Sequence, residues 1–381
     1  GATLKDQTQT YWREFRLPKG WENRRLMLEL GGVSGAKAAR LDGKPIANFK
    51  GKAFIEYPIA PAKTADGFHR LEVVASGRIE DDVWLRSYPQ SAARIDETFI
   101  TTSFREKNAR LQLSGAAPKN ERVRLQIAIS ETPDGPPVLR FGGAAASENG
   151  VWQAQTGAKW PNPKLWSRTF PNLYFYRTEL LDEKGVVRDR ILPRRFGFRE
   201  VWIENGDILI NGIRNVGLND AWHWRLGAGG NANAQATEML LRRVKADGFS
   251  YTALQPVDVL ANLTDEIGIM TYVVVGSLVR FNIWNPRNGL TAMTGNERVD
   301  DITRVVKRFR EHPSVAFWVS HAAYSQASMN AELVGRPFET WKYFPLNRNS
   351  AGSKEAQELF RYTQNLVQKL DPTRTVNCHN G

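Results

Sequence analysis

Between Arg25 and Leu30 apolar and polar positions alternate, with Leu26, Leu28 and Leu30 on one side and Arg25, Met27 and Glu29 on the other. A period of two is the mark of a half-buried strand. The pattern returns in HRLEVVASG at 69–77, and turn signals at Gly31-Gly32, Asp42-Gly43 and Asp66-Gly67 separate the runs. Short alternating strands divided by such turns predict a β-sandwich over residues 1–95. A second set starts near Thr98, where Val123, Leu125, Ile127 and Ile129 alternate with Arg124, Gln126 and Ala128, and it closes at PKLWSRTFPNLY. Its place and size predict an immunoglobulin-like sandwich over residues 96–196.

After Phe196 the period changes to an alternation of strands and helices, which predicts a parallel βα fold over 197–381. NVGLND (215–220) reads as the first strand, SYTALQ as the second, IMTYVVV (269–275) as the third and VAFWVSH (315–321) as the fourth, with DPTRTVNCHNG carrying the fifth. Between them TEMLLRRVKADG (237–248) predicts a helix with Leu240, Leu241 and Val244 on one face, ended by Gly248 in the left-handed conformation. DVLANLTDE (258–266), DDITRVVKRFRE (300–311, with acidic residues at its N-cap and a basic last turn) and residues 354–370 supply three more. Five strands are too few to close an eight-stranded barrel, and an open one leaves two unpaired edges and an uncovered core. The expectation is an N-terminal piece of a longer or cleaved polypeptide; the alternative is a second polypeptide that supplies the missing strands.

With 381 residues, 41% of them hydrophobic, the chain has material for several cores. No window approaches the roughly 18 apolar residues of a membrane span, and GATLKDQTQT lacks the basic-then-apolar order of a signal peptide, so no membrane partner is expected. The single cysteine, Cys378, forms no internal disulfide, and no Cys/His spacing resembles a zinc site, so neither metal nor cofactor is expected. A net charge of +12 attracts polyanions, of which nucleic acid and anionic polysaccharide are the two candidates. The basic residues are spread along the chain without any helix-turn-helix, RNA-recognition or zinc-finger pattern, which argues against nucleic acid. Twelve tryptophans offer stacking faces for sugar rings as well as core volume. GAGGNANA (227–234) lacks the Lys-Ser/Thr of a phosphate loop and reads as a βα loop, and no Gly-x-Ser-x-Gly elbow supports serine hydrolase chemistry.

From Pro171 to Trp224 the chain passes from all-β to α/β through PNLY, FGFRE, a hairpin ending in ILINGI, and LNDAWHW. This succession resembles the sandwich-to-barrel junction of glycoside hydrolase family 2, which contains β-galactosidases, β-glucuronidases and β-mannosidases. YWREFRLPKGW and ARLDGKPIA resemble the first strand and a hairpin of that family's sugar-binding jelly roll, and TDEIGI, REHPSVAFW and LDPTRTV extend the likeness. The resemblance implies a multidomain β plus α/β protein: a jelly-roll β-sandwich (1–95), an immunoglobulin-like β-sandwich (96–196), then the N-terminal part of a (β/α)8 TIM barrel with strands one to five (197–381). It also implies a glycosidase, exo-acting on β-linked oligosaccharides derived from polysaccharide, with positive charge favouring uronate or sulfated substrates. The compartment expected is periplasmic or extracellular, with no signal peptide in this chain.

Retaining glycosidases need two carboxyl groups about 5–5.5 Å apart, one as acid/base and one as nucleophile. The resemblance places the acid/base Glu after an Asn at the end of the fourth strand, in a segment of the type HPS(I/V)xxWSxGNE. Here the segment is HPSVAFWVSHAAYSQ (312–326): His312, Pro313, Ser314, Val315 and Trp318 match, while Ala322 takes the Asn slot and Ala323 the Glu slot. Alanine donates no proton. The nucleophile would lie on a seventh strand, beyond Gly381. Three readings stay open: His321 or an acid from a neighbouring loop protonates the leaving oxygen; the protein is a noncatalytic carbohydrate-binding or structural descendant; or the alanine was introduced to disable an enzyme. The family's second-strand Arg has no counterpart in GFSYTALQPVD, and IMTYVVVGSLVRF ends without the acidic residue often found there. What persists is the floor of a sugar site, with Asp220, Trp222, His223 and Trp224 after the first strand, and Trp318, Tyr324 and His379 at the ends of strands four and five.

Overall fold

The computed structural model of the chain describes residues 8–17, 21, 24–30, 36–47, 56–59, 67–75, 83–89, 92–215, 220–221, 234–249, 251–254, 258–275, 279–280, 291–292, 295–320 and 354–378. Its N-terminal part is two antiparallel sheets. One runs in the order Gln9–Arg16, Phe68–Ala75, Ala36–Leu41, Lys44–Ala47; the other places Arg25–Leu30 between Glu56–Ile59 and Val83–Tyr88. The alternation read from the sequence sets the packing: Leu26, Leu28, Leu41, Leu71 and Val73 meet between the sheets as one buried cluster.

A second sandwich follows, with three strands (Val151–Lys159, Asn108–Ala116, Arg94–Ser103) facing four (Pro137–Ala146, Arg122–Ser130, Tyr174–Leu181, Val187–Phe196). Val123, Leu125, Ile127 and Ile129 all point into its core, as their spacing requires. The core is capped by aromatic rings: Trp160 lies 4.7 Å from Tyr174 and 5.4 Å from Phe198, the latter edge-on.

Beyond Phe198 a small antiparallel unit, Val201–Glu204, Asp207–Ile210 and Ile213–Arg214, leads into a parallel sheet. The sheet runs in chain order, Asp220–Ala221, Tyr251–Leu254, Met270–Val275, Val315–Ser320, Val376–Cys378, with every neighbouring pair parallel. Its third and fourth strands are apolar at nearly every position because they are covered on both faces. Helices Asp258–Ile267, Gly295–Phe309 and Lys354–Leu370 cover one face, sending Leu260, Ile302, Val305, Val306, Phe309 and Val367 into a core with Val273, Val275, Val315 and Trp318. Ile210 from the antiparallel unit packs with Trp166, Met270 and Ala316. Among the described residues no helix is long and apolar enough to cross a membrane.

Three local expectations change. The first helix spans Ala234–Ala246, and its buried stripe is Thr237, Leu241 and Val244; Leu240 sits at the edge of that stripe and is 40% exposed. The third helix begins at Gly295 rather than at the acidic pair, because the chain turns helical before the buried series Ile302, Val305, Val306 and Phe309 begins, and Asp300 is an exposed residue of its body. Asn215, expected to open the first parallel strand, instead donates its N–H to the Ile208 carbonyl of the antiparallel unit; the strand itself is Asp220–Ala221.

Candidate functional site

In an open or closed parallel α/β sheet ligands bind beyond the carboxyl ends of the strands. Here Ser320, the last residue of its strand, pairs with Val275 on one side and Cys378 on the other. Ser320 and Cys378 thus end their strands side by side. Asp220 pairs with Tyr251, and Tyr251 with Met270, so its backbone belongs to a row at the start of the strand whose end pairs with Ser320. Trp222, His223, Trp224, His321, Ala323, Tyr324 and His379 lie outside the described residues, as does the side chain of Asp220. The strand ends Leu254, Val275, Ser320 and Cys378 carry no carboxylate. Among the described residues no group of three or more His, Cys, Asp and Glu is placed to hold a metal ion.

Trp318 is the candidate whose surroundings are fully defined. It is 0% exposed within the core between sheet and helices, and its Nε1 donates to Asp371 Oδ2 at 2.9 Å. Both faces of the indole are therefore covered, and the side chain offers no stacking surface to a sugar. Asp371 also accepts from the Thr373 N–H at 3.0 Å, the Thr373 hydroxyl at 2.5 Å and Arg374 at 2.8 Å. Burial works against its ionisation, but Arg374 and the hydrogen bonds from Thr373 and Trp318 outweigh it and hold the carboxyl below the usual range.

The segments that resemble family 2 meet at the other end of the sheet. Pro313 packs at Gly197, where an added Cβ would lie 2.7 Å from the proline Cβ. His312 Nδ1 lies 2.6 Å from Asp265 Oδ2, the Ser314 N–H donates to Asp265 Oδ1 at 3.0 Å, and the Trp166 indole donates to the Asp265 carbonyl at 2.9 Å. Arg374 Nε donates to the Val315 carbonyl at 2.7 Å, and Arg199 of FGFRE donates to that same oxygen. Glu311 reaches back into the second sandwich, accepting from the Ile100 N–H at 3.0 Å and the Tyr176 hydroxyl at 2.8 Å while pairing with Arg194 at 3.0 Å. Glu97 pairs with Lys307 and Arg310, each at 2.6 Å. FGFRE, TDE, HPS and DPTR are thus parts of one buried junction between sandwich and sheet. Sequence reasoning located these motifs but not their convergence; Glu97 and Arg194 carried no separate signal, and Glu311 was read only as part of REHPSVAFW and of the helix before it.

Residues 93–199, which contain the second sandwich and the start of this junction, match the model of the family described as glycosyl hydrolases family 2. Among solved structures the chain is similar to a Bacteroides uniformis β-glucuronidase (19% identity, TM-score 0.62), with 97% of this chain and 46% of that one covered. A glycosyl hydrolase family 2 member from Bacteroides cellulosilyticus DSM 14838 matches at 19% identity and a TM-score of 0.66, over 97% of this chain and 49% of that one. A β-D-mannosidase from Dictyoglomus thermophilum matches at 18% identity and a TM-score of 0.62, over 98% and 51%. Residues 93–199 thus carry the match to glycosyl hydrolases family 2, and the solved structures show a like fold over nearly the whole chain. It spans about half the length of the solved structures it matches.

Proposed function

We propose that this chain is part of an exo-acting β-glycosidase that removes sugars from β-linked oligosaccharides derived from a polysaccharide, with anionic sugars favoured, and that the residues after Phe196 form the first part of a (β/α)8 barrel. The observation that supports this most is the parallel sheet in unbroken chain order, joined to a sandwich that the family model matches. A polysaccharide or oligosaccharide partner fits the net charge of +12, since long-range attraction concentrates acidic sugars at a basic surface. In this reading Asp220, Trp222, His223, Trp224, Tyr324 and His379 contact the sugar, and His321 donates the proton that Ala323 cannot.

Ala322 and Ala323, in the slots where the resemblance expects Asn and Glu, favour a second reading: a catalytically inactive carbohydrate-binding or structural protein. Full-length protein assayed on aryl β-glucuronides, β-galactosides and β-mannosides separates the two. Turnover that falls in His321→Ala supports the glycosidase. Oligosaccharide binding by calorimetry without turnover on any substrate rejects it in favour of the second reading. In either case Asp220→Ala is expected to weaken sugar binding while leaving the thermal unfolding curve in place; unchanged affinity would overturn the placement of the cleft.

A further inference from the structure

At the junction of sandwich and sheet lies a cavity of about 50 Å3, lined by three arginines, Arg199, Arg310 and Arg374, and two glutamates, Glu200 and Glu311. Four of these five charges are matched by a partner. Glu311 pairs with Arg194 at 3.0 Å, Arg310 with Glu97 at 2.6 Å and Arg374 with Asp371 at 2.8 Å, while Glu200 is held by Arg105 and the Ser103 hydroxyl. Arg199 is the exception: it is 8% exposed and makes no ion pair among the described residues. Among the described residues its side chain hydrogen-bonds to the Val315 carbonyl. The Nε–H groups of Arg199 and of Arg310, which is 6% exposed, are buried without a hydrogen-bond partner.

A guanidinium buried without a direct ion pair is costly, and so is each buried N–H left without an acceptor. Burial, reinforced by Arg374 beside it and only partly offset by the pull of Asp371 and Asp265, pushes the Arg199 guanidinium well below its ordinary value. We infer that this cavity binds one small monovalent anion, a halide being the simplest, which neutralises Arg199 and accepts from the Nε–H groups of Arg199 and Arg310. The site lies against the starts of the parallel strands, away from the strand ends where substrate is expected, so the ion stabilises the junction between sandwich and sheet.

The test compares thermal unfolding in sodium chloride and in sodium gluconate at equal ionic strength, so that only the identity of the anion differs, with crystals grown in sodium bromide. Chloride is expected to raise the Tm in a saturable way, by about 2 °C or more at ten times its dissociation constant. Bromide is expected to give an anomalous peak within contact distance of Arg199. Arg199→Met, which removes the charge and the donors, is expected to lose the difference between chloride and gluconate. Should that variant fail to fold, the two measurements on the unaltered protein decide alone. Superimposable melting curves in the two salts, or bromide at surface lysines only, would overturn the inference.

Discussion

The indole Nε1 of Trp318 donates to Asp371 Oδ2 across 2.9 Å, and both residues are wholly shielded from solvent. The bond ties the middle of the fourth parallel strand to the turn that starts the fifth. Trp318→Phe keeps most of the ring volume and removes the donor, leaving a buried carboxylate oxygen with one partner fewer. The expected loss is about 1–3 kcal/mol, read as a lower urea midpoint with an unchanged m value. Oligosaccharide affinity is expected to stay the same, because Trp318 presents no surface to ligand.

Asp371 also sets a pH dependence. Its folded-state pKa is depressed, so its contribution to stability is present above the unfolded value, about 3.9, and is lost as pH falls through the lower folded value. Glu97, opposed by burial but held down more strongly by Lys307 and Arg310, acts in the same direction. Denaturant unfolding followed downward from neutral pH is expected to steepen below about pH 4. Asp371→Asn is expected to be less stable at neutral pH and to show a shallower slope in that acid window.

Glu311→Gln keeps the shape and an acceptor for Tyr176 but removes the charge opposite Arg194. A broken buried pair costs about 3–5 kcal/mol when both ions are enclosed. Glu311 is 4% exposed and Arg194 39%, so water compensates the arginine in part. The expected cost is nearer to about 2 kcal/mol, measured as the difference in unfolding free energy between the two proteins.

Gly197→Ala would place a methyl group 2.7 Å from Pro313 Cβ and 2.8 Å from Trp166 Cβ. Neither neighbour can withdraw, since Trp166 is fully buried and Pro313 sits at the head of a core strand. Overpacking of this kind costs about 1–3 kcal/mol. Because it falls between sandwich and sheet, near-UV circular dichroism and far-UV circular dichroism are expected to lose their coincidence on heating, reporting two units that no longer melt together.

The sandwich strands were legible because a single buried face imposes a period of two, and Val123 to Ile129 obey it at every step. The last helix was legible for a similar reason: Thr363 and Val367 fall on one face of Lys354–Leu370, and both are buried. Trp318 was not, since a strand covered on both faces is apolar throughout and its spacing cannot distinguish a core indole from one that greets a sugar. Leu240 failed by one helical step at the border of a stripe. The larger illegibility concerns position: the matching residues His312, Pro313 and Ser314 anchor the start of the strand, to Asp265 and beside Gly197, which their spacing did not reveal. A motif's spacing tells which strand it belongs to before it tells which end carries the chemistry.

Arg199 and Arg374 come from segments far apart in the chain and converge on the carbonyl of Val315. One oxygen thus couples the exit of the second sandwich to the approach of the fifth strand, and a displacement of Val315 is felt on both sides at once.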